Sequence, residues 1–400
     1  MRRRARTRIV GATAFVVSIA VSLGGCSNID ASRSTLPPAT TTPATTSSST
    51  STTSTSSTTT TTIDDRIPTA DEQALVQAFA DRADALMASK DVHAVAIAIA
   101  RRGSVIGDIV RGSTPSGAAL TTDSRFRIAS ISKVPLAIVV MQLVDEDSLH
   151  LDRPFAEQWR DLPRVNDPRV RTITVRQLLQ HTSGFSNLRG IFFGGGGTDW
   201  RSAAIASVGS TLDTDPGTKY RYSNANFVIF ATLVEQITDL PFDEAIRRRV
   251  LEPLGITSAQ LTGTRVTDPT GPAYAVDASR NYMEVLGPAG AWCMTAADTA
   301  RILAALQPGA STLVPADLLA QMRTPMPVPS IDEDWTYGLG LLLFHDSFGH
   351  TGTLEDVMAF AIDLPNGYTV AVLTATEEFD DGEAVKGAFQ TEIDALAAVS

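Results

Sequence analysis

Phe126-Arg127-Ile128-Ala129-Ser130-Ile131-Ser132-Lys133 is the stretch on which the reading of this chain turns. Pro135 follows closely, and proline is tolerated only in the first turn of a helix. A helix therefore starts near Ser132 and runs through the apolar Val134–Val144. Residues three apart share a helix face, which puts the Lys133 amine beside the Ser130 hydroxyl. The positive end of the helix would stabilise an anion forming there. The lysine is the telling residue. Of 33 basic residues, four are lysine: Lys90, Lys133, Lys219 and Lys386. A desolvated lysine can give up its proton, and arginine cannot. A serine with a deprotonatable amine one turn on is the equipment of an enzyme that makes an ester on its own hydroxyl. Arginine at 133 would keep the charge and fold, but lose the base.

Two further motifs follow in order. Tyr222-Ser223-Asn224 places a phenol and an amide on one face of an extended segment, since alternate residues share a face. The phenol can relay a proton, and the amide can hydrogen-bond both lysine and substrate. His350-Thr351-Gly352-Thr353 is read as following one strand and opening the next, with Gly352 letting a substrate backbone come close. The Thr353 N–H, with Ser130's own, would form an oxyanion hole.

Outward from these motifs, the chain divides into three. Residues 2–8 carry five arginines, Ile9–Val21 is apolar, and Leu23-Gly24-Gly25-Cys26 follows. That is the pattern of an export signal over residues 1–25. The apolar run is shorter than the roughly 20 residues a spanning helix needs. Residues 26–65 are a linker, all Ser or Thr over 40–62 except Pro43 and Ala44, and such a sequence cannot bury a core. Residues 66–400 read as one folded domain. Losing residues 1–25 removes five positive charges and no negative ones, taking the formal charge from −11 to −16. So acidic a body argues against nucleic acid or anionic lipid as partner.

Within the domain, 70–90 is helical, and His93–Ala100 and Val105–Gly112 are a hairpin around Arg101-Arg102-Gly103. Helices are expected over Thr174–Gln180, Asn226–Ile237, Phe242–Val250, Ala296–Leu306, Ala316–Met322 and Gly382–Ala398. Strands are expected over Tyr337–Phe344, Val357–Asp363 and Tyr368–Thr374, with Asn366-Gly367 as a turn. The fold class is α/β (α+β): an antiparallel sheet closed by both termini, flanked by helices, with a mostly helical lobe inserted. Cys293 is read as a buried apolar residue. The five histidines show no His-Glu-x-x-His pattern, so no metal site is expected.

These motifs resemble the serine β-lactamase and penicillin-binding family, in the branch that holds class C β-lactamases, D-alanyl-D-alanine carboxypeptidases and related esterases. The matching stretches are Phe126–Lys133, Leu178–Gly184, Pro216–Phe227, Tyr337–Gly340 and Gly349–Thr353, in family order. The resemblance implies an acyl-enzyme on Ser130, with Lys133 and Tyr222 sharing the base work. Asn224, His350, Thr351, Gly352 and Thr353 would bind substrate, and no cofactor is used. Leu-Gly-Gly-Cys resembles the bacterial lipobox, which implies a lipid on Cys26 and anchorage to the outer face of the cell membrane. His181 lies in a family stretch and is read as structural.

His350 stands where class C β-lactamases usually have lysine, as in carboxypeptidases and esterases. Glu355-Asp356 adds negative charge near the third motif, and Leu341-Leu342-Leu343 stands where carboxypeptidases can carry an arginine. Both features disfavour an anionic substrate, β-lactams and D-Ala-D-Ala ends included. The expected activity is hydrolysis of a cell-wall peptide, in the manner of a D-alanyl-D-alanine carboxypeptidase, or of an ester or amide. A β-lactamase is the alternative. From another class, a lipoprotein that binds peptidoglycan or β-lactam without turnover is the rival. No Gly-x-Ser-x-Gly elbow is present, which removes the α/β-hydrolases.

Overall fold

Val92–Arg101 alternates alanine with branched residues, and that alternation sets the layering. It forms strand β1, whose Val95, Ile97 and Ile99 enter one core layer while Ala94, Ala96, Ala98 and Ala100 enter the other. A strand covered on both faces is apolar at every position. In this computed structural model, residues 67–399 are described, apart from 90, 195–196, 266–267, 275–279, 310, 330–333 and 377–380. The signal over 1–25, the lipid acceptor Cys26 and the linker over 26–65 lie outside the described residues.

The remaining strands are β2 (Ser104–Gly112), β3 (Phe126–Arg127), β4 (Gln260–Leu261), β5 (Trp292–Met294), β6 (Thr336–Tyr337), β7 (Leu342–Phe344), β8 (Ser347–Leu354), β9 (Val357–Asp363) and β10 (Tyr368–Thr376). Seven of them make one antiparallel sheet in the order β2-β1-β10-β9-β8-β7-β6, and a small sheet runs β3-β5-β4. The first and last strands pair centrally, so both ends of the domain close one sheet.

Helix α1 (Ala70–Met87) starts in a Thr69–Glu72 capping box and packs on β1 and β2. The inserted lobe holds α2 (Lys133–Asp145), α3 (Val175–Leu179), α4 (Arg189–Phe192), α5 (Trp200–Val208), α6 (Ala225–Thr238), α7 (Phe242–Ile246) and α8 (Tyr282–Leu286). Helix α9 (Ala296–Ala304) lies on β1, β9 and β10, where the alanine face of β1 lets it approach. Then come α10 (Ala316–Met322), and after the sheet α11 (Gly382–Ala388) and α12 (Gln390–Ala397). This is the mixed α/β architecture expected, with its helical lobe between β3 and β5.

Local differences have physical causes. The expected strand Tyr337–Phe344 is broken by Gly340 at φ +77, whose N–H bonds the Leu179 carbonyl, so the chain dips toward α3 before resuming. The closing helix is interrupted at Phe389, whose ring stacks on Phe79. The helix over Phe242–Val250 ends at Ile246 and continues as a π-turn over Arg247–Leu251. His350–Thr353 is not a turn between strands. It is the interior of β8, and the turn into β9 comes at Asp356, at φ +60. Strand β7 partners β8 only over Ser347–Gly349, so beyond Gly349 that edge of β8 has no strand beside it among the described residues.

Candidate active site

Ser130 is presented by a strained turn. Ala129, just before it, sits at φ +47, a left-handed conformation that alanine rarely adopts. A 3₁₀ turn over Ala129–Ser132 then feeds α2 at Lys133. The hydroxyl of Ser130 is half-exposed, while Ser132 is buried and its Oγ accepts from the Trp292 N–H at 3.3 Å. Ser132 is thus committed to holding β5, and Ser130 is the hydroxyl left facing the cleft.

Gly352 explains how the turn meets the sheet. A Cβ there would stand 2.5 Å from the Ile128 carbonyl oxygen, 3.0 Å from Ala129 Cβ and 3.3 Å from Ser130 N. The glycine was expected to let substrate approach. The structure corrects this: what lies against it is the turn that carries Ser130.

Lys133 is wholly buried. Its Nζ lies 3.0 Å from Ser130 Oγ and donates to the Ala289 carbonyl at 2.6 Å. The aromatic faces of Tyr222 and Phe227 stand 5.0 and 5.6 Å from the nitrogen. They favour the charged amine by about 1–2 kcal/mol. Burial without a carboxylate costs several kcal/mol per ion and outweighs them. Burial accordingly holds Lys133 well below the usual lysine range.

Tyr222 precedes α6, and its hydroxyl is buried without a hydrogen-bond partner. Burial pushes its pKa up, and the Ser130 hydroxyl acts against that rise without completing a hydrogen bond. Asn224 is the N-cap residue of α6 rather than part of an extended pair with Tyr222. Its side-chain oxygen is buried, lines the cleft and has no partner, so Lys133 is held by Ala289 and not by this amide.

His350 is buried and neutral. Its Nδ1 lies 2.6 Å from the Thr351 carbonyl and must donate, so Nε2 accepts from the Tyr337 hydroxyl at 2.8 Å. Burial, with the nearby Lys133 charge, lowers its pKa to about 3. His181, at φ +55, is also buried, and its Nδ1 accepts from the Ser223 N–H at 3.1 Å and faces the Asn226 amide at 2.8 Å. Burial, then the charges of Lys133 and His350, hold it well below the usual histidine range. Its ring lies 4.3 Å from that of Tyr222, which it supports. Thr351 and Thr353 line the cleft, and Thr353 Oγ1 accepts from the Gly382 N–H at 3.0 Å. Cys293 on β5 is buried, and burial raises its thiol to about 11.

The cleft above Ser130 has a volume of about 410 Å³. Ser130, Tyr222, Asn224, His350, Thr351 and Thr353 all line it, and Lys133 and Gly352 sit beneath. Sequence reasoning missed the Ala289 carbonyl, the Tyr337–His350 bond, and Asn187, Arg189, Tyr220, Trp335, Asp381 and Glu383 in the cleft walls. The Gly287-Pro288-Ala289-Gly290 cluster signalled a turn, but nothing in it pointed to a lysine 156 positions away. Glu355, expected to charge the cleft, pairs with Arg280 at 2.9 Å, and Asp356 is buried in the turn. Neither is among the lining residues.

Residues 79–394 match the family described as Beta-lactamase. Penicillin-binding protein 4 of Amycolatopsis lactamdurans is 28% identical over 338 residues, 75% of this chain and 86% of that one. Esterase EstB of Burkholderia gladioli is 30% identical over 190 residues, 43% of this chain and 47% of its own length. Among solved structures, a D-stereospecific amidohydrolase from Streptomyces sp. superposes with a TM-score of 0.63 at 26% identity, covering 79% of this chain and 97% of that one. The hydrolase EstCE1 shares the fold, with a TM-score of 0.67 at 19% identity, over 82% and 100% of the two chains. The chain belongs to the β-lactamase family. It is a serine hydrolase of that family, whose relatives include penicillin-binding proteins and esterases.

Proposed function

We propose that the chain is an exported hydrolase that forms an acyl-enzyme on Ser130. Its substrate is a cell-wall peptide, cleaved in the manner of a D-alanyl-D-alanine carboxypeptidase, or a related ester or amide. The observation that carries this reading is the Lys133 amine, buried without a carboxylate, bound to the Ala289 carbonyl and 3.0 Å from Ser130 Oγ. Once neutral, it spends an N–H on Ala289 and turns its lone pair to the Ser130 O–H. Ser130 Oγ attacks the substrate carbonyl as its proton passes to Lys133, and Tyr222 relays that proton to the leaving alcohol or amine. The Ser130 and Thr353 N–H groups receive the oxyanion. Asn224 and Thr351 align the substrate. His350 adds a neutral wall that tethers Tyr337 to β8. Water then releases the acyl group.

A neutral His350 supplies no cation for a substrate carboxylate, which favours turnover of an ester or amide over that of a β-lactam or a D-Ala-D-Ala end, both of which carry one. The test is a screen of purified protein against p-nitrophenyl esters, nitrocefin and D-Ala-D-Ala peptides, with Ser130→Ala as control. Ester or peptide turnover that is lost in Ser130→Ala supports the reading. Nitrocefin turned over well above the others identifies a β-lactamase instead, and tight binding without turnover identifies a binding protein.

For location, we propose cleavage before Cys26, lipidation of its thiol, and residues 26–65 as a tether from the outer membrane face to the domain at 66–400. One acyl chain anchors only marginally, so two or more are expected. Mass spectrometry of the mature N-terminus decides this, and an unlipidated chain beginning elsewhere removes the proposal.

A further inference from the structure

Tyr222 is assigned a proton relay, yet its hydroxyl has no hydrogen-bond partner among the described residues. The phenol is not held by its oxygen, so its aim is set by what holds its backbone and its ring. His181 holds both. Its carbonyl accepts from the Arg221 N–H at 2.7 Å, and its Nδ1 accepts from the Ser223 N–H at 3.1 Å. The two bonds straddle Tyr222, whose ring lies 4.3 Å from the imidazole. Further back, the Gly217 N–H donates to the Thr182 carbonyl at 2.7 Å and the Asp213 N–H to the Gly184 carbonyl at 2.9 Å. His181–Gly184 is thus the dock on which the run leading to Tyr222 is laid.

The imidazole is locked in one tautomer. A backbone N–H can only donate, so Nδ1 must accept from Ser223, and in the neutral ring the proton sits on Nε2. The Asn226 amide, 2.8 Å from the same Nδ1, must then present its NH2. That leaves Asn226 Oδ1 to accept from the Ser183 hydroxyl at 2.7 Å. All three side chains are buried. The Nε2–H finds no hydrogen-bond partner among the described residues, and a buried donor left unpaired costs stability. A phenylalanine would fill the same box of Tyr220, Tyr222, Phe227 and Tyr337 rings without that orphan. What the imidazole adds is the Nδ1 lone pair on Ser223.

We propose that His181 is the positioning residue of the relay: its Nδ1 fixes Ser223 and so aims the Tyr222 hydroxyl at the leaving group. The inference rests on the proton relay in the hydrolase reading above and deepens it.

The experiment uses the purified full chain and two esters of one acyl group, a p-nitrophenyl ester and an ethyl ester. Nitrophenolate leaves without a proton, whereas ethoxide needs one from Tyr222. His181→Phe keeps a ring and removes the acceptor. In it the ethyl-to-nitrophenyl ratio of kcat/KM falls roughly ten- to hundredfold, as it does when catalytic groups are misplaced. A merely structural defect leaves the ratio alone, because a smaller folded fraction lowers both rates equally. His181→Asn suits the backbone at φ +55, and its Oδ1 can take the place of Nδ1 on the Ser223 N–H. It should keep the ratio within about threefold of wild type, the scale of one hydrogen bond. Tyr222→Phe also lowers the ratio, and the His181→Phe/Tyr222→Phe double variant lowers it no further, since both act through one group. Nitrogen NMR of the wild-type ring at neutral pH should find the proton on Nε2. A proton on Nδ1 overturns the proposal, as does a wild type that turns over the nitrophenyl ester alone. So does an unchanged ratio in His181→Phe, or one in His181→Asn as low as in His181→Phe. A ratio unmoved in His181→Phe but lowered in Tyr222→Phe refutes this inference alone, and one unmoved in both refutes the relay with it. No turnover of any ester and no labelling of Ser130 refute the hydrolase reading itself.

Discussion

At the scale of the residue, Lys133 carries the account. Its buried amine is a cost to the fold that the chemistry explains. The folded state holds the group below the usual lysine pKa while the unfolded state does not. Between those two values the unfolded chain binds a proton that the native chain lacks, so stability rises with pH across that window. Below the window the penalty is fully present. Lys133→Met is therefore expected to raise the melting temperature at pH 7 while slowing acylation roughly 100- to 10,000-fold. A thermal melt and a stopped-flow burst measure the two effects, and a lower melting temperature with acylation intact would remove Lys133 from its role. The sequence expectation that arginine would fold normally at this position does not survive, because a fully buried site with no carboxylate cannot hold a permanent charge. Lys133→Arg is expected to melt lower than wild type. In the pH profile of kcat/KM, the acid limb belongs to Lys133. His350, with its pKa near 3, adds no step above about pH 5, and histidine NMR shifts followed from pH 5 to 8 check this.

At the scale of the element, the decisive contact is β8 against the nucleophile turn. Gly352→Ala places a methyl 2.5 Å from the Ile128 carbonyl, a backbone atom that cannot swing aside. The expected cost is about 1–3 kcal/mol of stability. The Ser130 N–H is displaced with the turn, so kcat/KM falls at least tenfold, as loss of an oxyanion donor does. Urea melts and ester kinetics measure these two effects, and wild-type kinetics in Gly352→Ala would show that the contact is slack. This element also shows what was legible. The Ser130–Lys133 pair could be read because its geometry is local, one helical turn fixed by Pro135. The strands could be read where the pattern was continuous, as in β9 and β10. The position of β8 could not, because Gly349 and Gly352 resemble turn residues until the strand packed on them is known. Glu355 misled for a related reason. Its neighbour Asp356 is acidic, but its partner Arg280 comes from a distant segment. The Ala289 carbonyl left no trace in side-chain identity at all, since any residue supplies a backbone oxygen.

At the scale of the whole molecule, two buried carboxylates give the domain opposite responses to pH. Glu72, in the first turn of α1, joins Arg101 of β1 and the Tyr368 hydroxyl of β10, tying the start of the domain to its last strand. Burial alone would raise its pKa, but the hydrogen bonds from Tyr368 and Arg101 prevail and lower it to about 2. Its contribution is present above the unfolded value near 4.3 and is lost as pH falls toward 2. Asp363, at the end of β9, is raised to about 7 by burial, against hydrogen bonds from Gln307 and Thr369. From about pH 4 to 7 the folded state keeps a proton that the unfolded state has lost, so its contribution declines as pH rises. Thermal melts should show Glu72→Gln destabilised most at neutral pH, by about 3–5 kcal/mol for a broken buried pair. Asp363→Asn should flatten the decline between about pH 4 and 7, and an equal slope in that variant would assign the decline elsewhere.

The central claim is that Ser130 takes the acyl group, and intact-protein mass spectrometry followed by peptide mapping tests it directly. After a fluorophosphonate or a slowly released ester, the account predicts one added label, on Ser130, absent in Ser130→Ala and slowed in Lys133→Met. A label on Ser132, or one that persists undiminished in Ser130→Ala, would contradict it.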